Sequence, residues 1–264
     1  MSKLAISNIG WAEENDATVY DLMKKYGFRG LEIAPTRIFS ERPYDMNSEA
    51  EAWSKKLKSE YGFCIPSMQS IWYGRQEKIF GTNEERKTLL VYTKKAIDFS
   101  VAIGCKNLVF GCPRNRNFPD GADENIAITF FKELGDYAYS QGTVIGMEAN
   151  PPIYNTNFIN STESAFDMID KVDSKGFLLN LDLGTMIQNE EDVRELTGKV
   201  RLINHVHISE PGLKPIVERP IHSELKVLLT KEGYDRFISI EMGKVEDINI
   251  LEEKMAYVRR IFAY

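Results

Sequence analysis

The chain has 264 residues, of which 43% are hydrophobic and 27% are charged, and its formal net charge at pH 7 is −6. This is an ordinary globular balance, and a chain of this length can bury a large core. Acidic and basic residues are mixed along the chain with no basic run, which argues against a nucleic-acid partner.

The cysteine pattern and the first residues bear on the cellular compartment. The chain has three cysteines, Cys64, Cys105 and Cys112, which is an odd number, and no two of them form a C-x-x-C pair. We therefore expect each cysteine to be a buried, small hydrophobic residue. The opening residues reach charge and polarity too early for a signal peptide. No apolar run approaches the roughly 18 residues that cross a bilayer. We therefore expect a cytoplasmic protein with no membrane partner.

Short apolar runs recur along the chain, and each is followed by a longer segment with helical period. The runs predict eight strands, at residues 4–9, 30–34, 65–71, 107–111, 144–148, 178–182, 204–209 and 237–241. The amphipathic segments predict helices that end at Gly27 and Gly104, a helix capped by Asn160 or Ser161, and a last helix from residue 249.

A strand followed by a helix, eight times over, predicts an α/β fold. We expect a single (β/α)8 TIM barrel that spans residues 1–264 as one domain. The alternative is a doubly wound open sheet, which would need a G-x-G-x-x-G motif after the first strand, and this motif is absent.

The long connections all follow the C-terminal ends of predicted strands 2 to 5, whereas the connections at the opposite face are short. In a barrel, long loops gathered on one face are where a site is built. These loops carry aromatic residues that can wall a pocket: Trp72, Tyr73, Phe80, Phe118 and Tyr154.

Four ionisable residues stand at the C-terminal ends of predicted strands 5 to 8, namely Glu148, Asp182, His207 and Glu241. Singly, each is more typical of a salt bridge or a hydrogen-bonded core residue. Together at one barrel mouth they would repel one another and be costly to desolvate, which a shared divalent cation would remedy. Three carboxylates and one neutral imidazole suit Mn²⁺ first, with Mg²⁺, Co²⁺ or Zn²⁺ as alternatives.

The motifs around these residues resemble the metal-binding set of the xylose isomerase-like barrel superfamily, in strand order over the whole chain. They read GMEANP, LNLDLGT, HVHISEP and ISIEMG. The superfamily contains sugar isomerases, ketose 3-epimerases of the tagatose and psicose type, and inosose dehydratases. The resemblance implies an isomerase or epimerase of carbohydrate metabolism in which Glu148 and Glu241 are both metal ligands and acid/base groups, with Asp182 and His207 completing the ligand set.

Several positions depart from the pattern of the superfamily. Thr185 stands where members often carry a histidine, and Tyr154 stands where the ketose 3-epimerases carry a further glutamate. Lys214 or Arg219 would have to replace an arginine that follows the metal-binding histidine. These departures weaken an assignment to the ketohexose epimerases and leave the metal set whole. The endonuclease IV-like branch binds three zinc ions through many histidines, and this chain has three histidines in total.

Further polar residues near the same mouth are candidates for binding substrate: Glu32, Gln69, Asn150, His205 and Lys214. Each also has a structural interpretation, as a strand-end salt bridge, a cap, a support for a ligand or a solvated side chain. We predict an unphosphorylated sugar or polyol as substrate, because no Gly-rich anion-binding loop is evident near the last two strands. Association into a homo-oligomer is left open.

The predicted chemistry is proton transfer through an enediolate, with one glutamate removing a proton and the other returning one. Return to the opposite face of the same carbon gives epimerisation, and return to the neighbouring carbon gives isomerisation. Loss of a β-hydroxyl would instead give a dehydratase acting on an inosose-like keto-polyol. The non-catalytic alternative is a barrel that binds a sugar without converting it.

Overall fold

The computed structural model describes residues 3–263, which fold into a curled, fully parallel sheet with helices between its strands. The strands are β1 (Lys3–Ser7), β2 (Gly30–Glu32), β3 (Leu108–Phe110), β4 (Ile145–Met147), β5 (Phe177–Asp182), β6 (Ile203–Ile208) and β7 (Phe237–Ile240). Their order in the sheet is β2-β1-β7-β6-β5-β4-β3. The predicted α/β class and the parallel pairing are therefore confirmed.

The third of the eight predicted strands, at residues 65–71, does not form as a strand in the described part of the chain. The segment instead makes isolated parallel bridges, from Cys64 to Gly30 and from Met68 to both Ile33 and Leu108. Pro66 lies inside it and has no backbone N–H, so a continuous ladder cannot form there. The segment thus lies between β2 and β3, which are the two edge strands of the sheet.

Nine α-helices occur within residues 3–263. They are α1 (Asp16–Tyr26), α2 (Pro35–Ile38), α3 (Asn47–Tyr61), α4 (Asn83–Ala102), α5 (Asn125–Ser140), α6 (Thr162–Val172), α7 (Leu183–Gln188), α8 (Pro220–Lys231) and α9 (Ile248–Phe262). No helix among these residues is both long and apolar enough to cross a membrane.

Local sequence explains where the main helices begin and end. Ser161 caps α6, since its Oγ accepts a hydrogen bond from Ser164 N at 3.1 Å while Ser164 Oγ accepts one from Ser161 N at 3.0 Å. A serine thus completes a capping box that usually uses glutamate. Helix α1 ends at Gly27, whose φ of 73° is the left-handed conformation that glycine adopts without strain.

The core lies between the sheet and the helices, and it includes buried side chains from every strand. The expectation for the cysteines holds for Cys105, which is buried, but is wrong for Cys64, which is exposed. Cys64 lies in the bridging segment before Pro66, where the backbone reaches β2 but the side chain faces outward.

Candidate metal centre

The four residues predicted as ligands meet at one edge of the sheet. Asp182 is the last residue of β5, His207 is the penultimate residue of β6, and Glu148 and Glu241 directly follow β4 and β7. These four strands are neighbours in the sheet, and parallel strands place their C-terminal ends at the same edge. All four side chains are buried, and each offers one donor atom within 4.8 Å of the other three.

The imidazole of His207 lies at the centre of this group. Its Nδ1 is 3.0 Å from Glu148 Oε1 and 3.2 Å from Glu241 Oε2, and its Nε2 is 3.0 Å from Glu32 Oε2. Burial alone would lower the pKa of His207, but the Glu241 and Glu32 carboxylates outweigh it and raise that pKa well above its usual value. The surroundings of this imidazole therefore favour positive charge.

The carboxylates show the complementary behaviour. Burial and the nearby Glu148 raise the pKa of Asp182. Burial is also the main cause that raises the pKa of Glu241 to about 7, with Glu148 and Asp182 adding to it against the opposing effect of His207. The buried carboxylates repel one another when they are ionised, and they lie beside an imidazole whose surroundings favour a positive charge. A bound cation would stabilise the ionised form of these carboxylates. The donor set therefore fits a divalent metal ion.

Asp182 is held in place by three donors from its own neighbourhood. Thr185 donates to Asp182 Oδ2 from both its backbone N and its Oγ1, each at 2.8 Å, and Ser209 Oγ donates to Oδ1. Thr185 Oγ1 also lies 2.8 Å from the carbonyl of Ala149 and is fully buried. Thr185, which replaces the histidine of the superfamily pattern, thus supports a candidate ligand and does not line the pocket.

Glu148 is fixed by amides and by a close backbone approach. Asn180 Nδ2 donates to its Oε1 at 2.8 Å, and Asn150 Nδ2 donates to its Oε2 at 3.3 Å. A Cβ on Gly111 would lie 2.9 Å from Glu148 Oε2, so a larger residue there would displace the Glu148 carboxylate. Asn180 was missed by the sequence analysis, since an asparagine inside an apolar run carries no sign of its partner.

A buried arginine fastens the loops around Glu148. Arg116 is fully buried, and its Nη1 donates to the carbonyls of Gly111 at 2.7 Å and Glu148 at 2.9 Å. Its Nη2 donates to Asn150 Oδ1 at 3.0 Å and to the carbonyl of Ile159 at 3.2 Å. Burial lowers the pKa of Arg116 to about 10. Nothing in the sequence marks Arg116 as a buried residue, because an arginine in a polar loop is usually solvated.

Above the donors lies an inner pocket of about 170 Å³, which Glu148, Asp182 and Glu241 reach from below. Among the candidates for substrate binding, Gln69 and Asn150 are on its wall. Tyr154 also lines it, and the Tyr154 hydroxyl accepts a hydrogen bond from Gly212 N at 2.9 Å. Burial raises the pKa of Tyr154 to about 12, so this hydroxyl stays protonated at neutral pH.

Glu32 and His205 lie beneath the four donors and do not line the inner pocket. Both are almost fully buried, and His205 Nε2 is 3.0 Å from the same Glu32 oxygen that faces His207. Gln69 Nε2 donates to Glu32 Oε1 at 3.2 Å. Burial would raise the pKa of Glu32, but His207 and His205 together lower it well below its usual value. Glu32 is thus an ionised carboxylate that faces two imidazoles.

The remaining candidates lie away from the pocket. Lys214 is exposed and is not among the residues that line it. Arg219 is engaged elsewhere, since its Nε and Nη2 donate to the two carboxylate oxygens of Glu210 at 2.8 and 2.7 Å. Of the aromatic residues in the loops, Phe80 and Phe118 pack on each other with ring centroids 4.8 Å apart.

Comparison with known proteins places this geometry in context. A family model described as the xylose isomerase-like TIM barrel matches residues 20–261. A comparison with curated proteins found no match.

Three solved structures illustrate the likeness in fold. The 3-keto-D-glucoside 4-epimerase of E. coli superposes with a TM-score of 0.78 at 19% identity, covering 98% of this chain and 100% of that one. The D-psicose 3-epimerase of Clostridium cellulolyticum H10, solved with D-tagatose, gives 0.75 at 16%, covering 98% and 99%. An AP endonuclease of family 2 from Brucella melitensis gives 0.75 at 17%, covering 97% and 98%.

Proposed function

The chain belongs to the xylose isomerase-like TIM barrel family, and on this premise we propose that it is a divalent-metal-dependent sugar or polyol epimerase or isomerase. The observation that carries the proposal is the convergence of Glu148, Asp182, His207 and Glu241, whose donor atoms lie within 4.8 Å of one another. The sugar epimerases among the similar structures agree with it. The proposed functional unit is the whole chain as one domain, in which residues 64–68 occupy the position of the eighth strand of a barrel.

The donor set indicates which ion would bind. Three carboxylates and one imidazole form an oxygen-rich set that suits Mn²⁺, with Mg²⁺, Co²⁺ and Zn²⁺ as competitors. His207 would offer Nδ1, because this nitrogen faces Glu148 and Glu241 while Nε2 faces Glu32. Thr185 and Ser209 would hold Asp182 in the orientation required of a ligand.

When bound, such an ion would draw negative charge toward the substrate oxygens and so acidify the adjacent C–H. Residues of the chain would transfer the proton and bind the sugar. Glu148 and Glu241 directly follow the two outer strands of the four, β4 and β7, and both line the inner pocket. One would accept the proton and the other would return it. Gln69 and Asn150 would hydrogen-bond the hydroxyls of the sugar.

Two alternatives share this site. A dehydratase of an inosose-like keto-polyol would use the same ions and the same glutamates, and a sugar-binding protein would use the pocket without proton transfer. Within the described residues, His222 belongs to neither group of candidate metal ligands, and its Nδ1 lies 2.7 Å from Tyr257 Oη in a buried pair. Only two histidines are thus left near the centre, which favours a sugar over the trinuclear zinc chemistry of the endonuclease IV-like branch. A cytoplasmic location stays a prediction.

Solvent exchange tests the proposal directly. With Mn²⁺ in D₂O, we expect deuterium to enter D-fructose, D-tagatose, D-psicose or an inosose at a carbon next to the carbonyl, and EDTA to stop the exchange. Mass spectrometry and NMR of the products would then separate epimer, isomer and dehydrated product. Binding of these sugars without any exchange would favour the sugar-binding alternative and would contradict the proposed catalysis.

Replacing Glu32 by glutamine is expected to weaken Mn²⁺ binding by about 10–100-fold. The ionised carboxylate of Glu32 accepts from Nε2 of His207 at 3.0 Å and so leaves Nδ1 free to coordinate. Isothermal titration of the wild type and Glu32→Gln would measure the change, with Glu41→Gln at an exposed position as the matched control. A dissociation constant within twofold of the wild type would show that Glu32 does not position the imidazole.

A further inference from the structure

The inner pocket adjoins a larger cleft. The inner pocket measures about 170 Å³, which is below the roughly 300–1,000 Å³ of a typical small-molecule site. A second cavity of about 820 Å³, here called the outer cleft, shares the walls Ser70, Cys112 and Pro113 with it. A molecule with its reacting end on Glu148 and Glu241 therefore has room for a second group beyond those shared walls.

The outer cleft differs from the inner pocket in its chemistry. None of the described residues that line it is acidic, whereas the inner pocket contains three carboxylates. Tyr73 lines the outer cleft with its side chain 71% exposed, although a tyrosine ring has apolar surface to cover. Amide side chains that can donate and accept hydrogen bonds also line the outer cleft, namely Gln76, Asn117 and Asn155.

The segment that carries Tyr73 is fastened in place. Tyr73 N donates to the carbonyl of Ser70 at 2.9 Å. Asn115 Nδ2 donates to the carbonyls of Arg75 and Glu77 at 3.1 and 2.8 Å. The Arg75 guanidinium is paired with the Glu77 carboxylate at 2.8 Å. The outer cleft is therefore largely formed before any ligand enters, which reduces the ordering cost of binding.

We propose that the substrate is a glycoside, with the reacting sugar in the inner pocket and a second sugar ring in the outer cleft, stacked on Tyr73. This inference rests on the proposed function. A neutral ring with many hydroxyls fits an aromatic face bordered by amides. Three basic residues, Arg75, Lys78 and Arg114, also line the outer cleft. Arg75 is paired with Glu77, so an anionic group would depend on Lys78 and Arg114 alone.

A matched series of three ligands tests the proposal. D-fructose, isomaltulose and fructose 6-phosphate share the same reacting end and differ in what they carry at O6: a hydroxyl, a glucosyl ring or a phosphate. Titration calorimetry on the Mn²⁺-loaded protein would give their affinities, and exchange in D₂O would be measured on the same samples. We expect isomaltulose to bind about tenfold more tightly than D-fructose, which corresponds to about 1.4 kcal/mol.

Variants assign this gain to the outer cleft. Tyr73→Ala is expected to bring the affinity for isomaltulose down to that for D-fructose, and Tyr73→Phe to retain most of the gain because the ring is kept. Tyr139→Ala is the matched control, since Tyr139 is 55% exposed on α5 and does not line the outer cleft. We expect this control to bind isomaltulose as the wild type does.

The outcomes separate this inference from the proposed function. Equal affinities for D-fructose and isomaltulose, with exchange into either sugar, would overturn the glycoside and leave the catalysis intact. Tightest binding of fructose 6-phosphate, lost in Arg114→Ala, would replace the glycoside by an anionic substrate. Tyr73-dependent binding of isomaltulose without exchange would support the outer cleft and contradict the catalysis. No binding of any of the three sugars would overturn the glycoside, and the proposed catalysis would then be decided by exchange into D-tagatose, D-psicose or an inosose.

Discussion

Glu241→Gln is expected to reduce the rate of deuterium exchange by about 10²–10⁴-fold, which is the usual contribution of a general acid or base. The amide is nearly isosteric with the carboxylate, so it fills the same buried position after β7 and cannot accept the proton. It can still offer one oxygen to a cation. The measurement is the exchange rate at saturating Mn²⁺ with the metal content determined on the same sample.

Metal content separates the two roles proposed for this glutamate. Loss of exchange with the ion retained identifies Glu241 as an acid/base group, and recovery of exchange at higher Mn²⁺ identifies it as a ligand only. Glu246→Gln is the control, because Glu246 lies five residues further along the chain with its side chain 92% exposed. Undiminished exchange in Glu241→Gln with the ion bound would contradict the acid/base role.

Arg116→Met is expected to lower the free energy of unfolding by about 3 kcal/mol, because it leaves buried hydrogen-bond acceptors without a donor. The guanidinium makes four hydrogen bonds of 2.7–3.2 Å to three carbonyls and to Asn150. Methionine fills similar volume but donates none of these bonds. Removing a buried charge relieves part of its desolvation cost, but the orphaned carbonyls outweigh this relief.

Urea denaturation of wild type and variant would measure the loss, which for a chain of this size corresponds to a melting temperature lower by roughly 6–12 °C. Arg114→Met is the control, because Arg114 is exposed two positions earlier in the same loop. A loss of under about 1 kcal/mol in Arg116→Met would mean that water or a shifted backbone satisfies the same carbonyls.

The sequence predicts the edge of the sheet where the site lies because of a simple regularity. An apolar run that ends on a charged residue is a buried strand whose last side chain faces the mouth, and this holds for Glu148, Asp182 and Glu241. Parallel order then brings strands distant in sequence together, so the convergence needs no knowledge of the loops. The prediction of a strand at residues 65–71 is wrong because hydropathy does not distinguish a continuous strand from a segment that forms isolated bridges. Pro66, which lacks a backbone N–H, interrupts the ladder there.

What surrounds the candidate ligands depends on contacts that the sequence does not encode locally. Arg116 reaches carbonyls on three different segments, and Asn180 reaches Glu148 from the neighbouring strand. Glu32 was predicted at the mouth because it ends a strand, yet its side chain turns below the donors toward two imidazoles. Such placements follow from the packing of the whole sheet, which periodicity and motif spacing do not describe.

Anomalous diffraction from crystals grown with Mn²⁺ is the most direct measurement of the shared cation on which the account depends. We expect one anomalous peak bounded by oxygens of Glu148, Asp182 and Glu241 and by Nδ1 of His207, each at roughly 2.0–2.6 Å from the ion. A map with no peak there, while His207 still bridges the Glu148 and Glu241 carboxylates through hydrogen bonds, would contradict it.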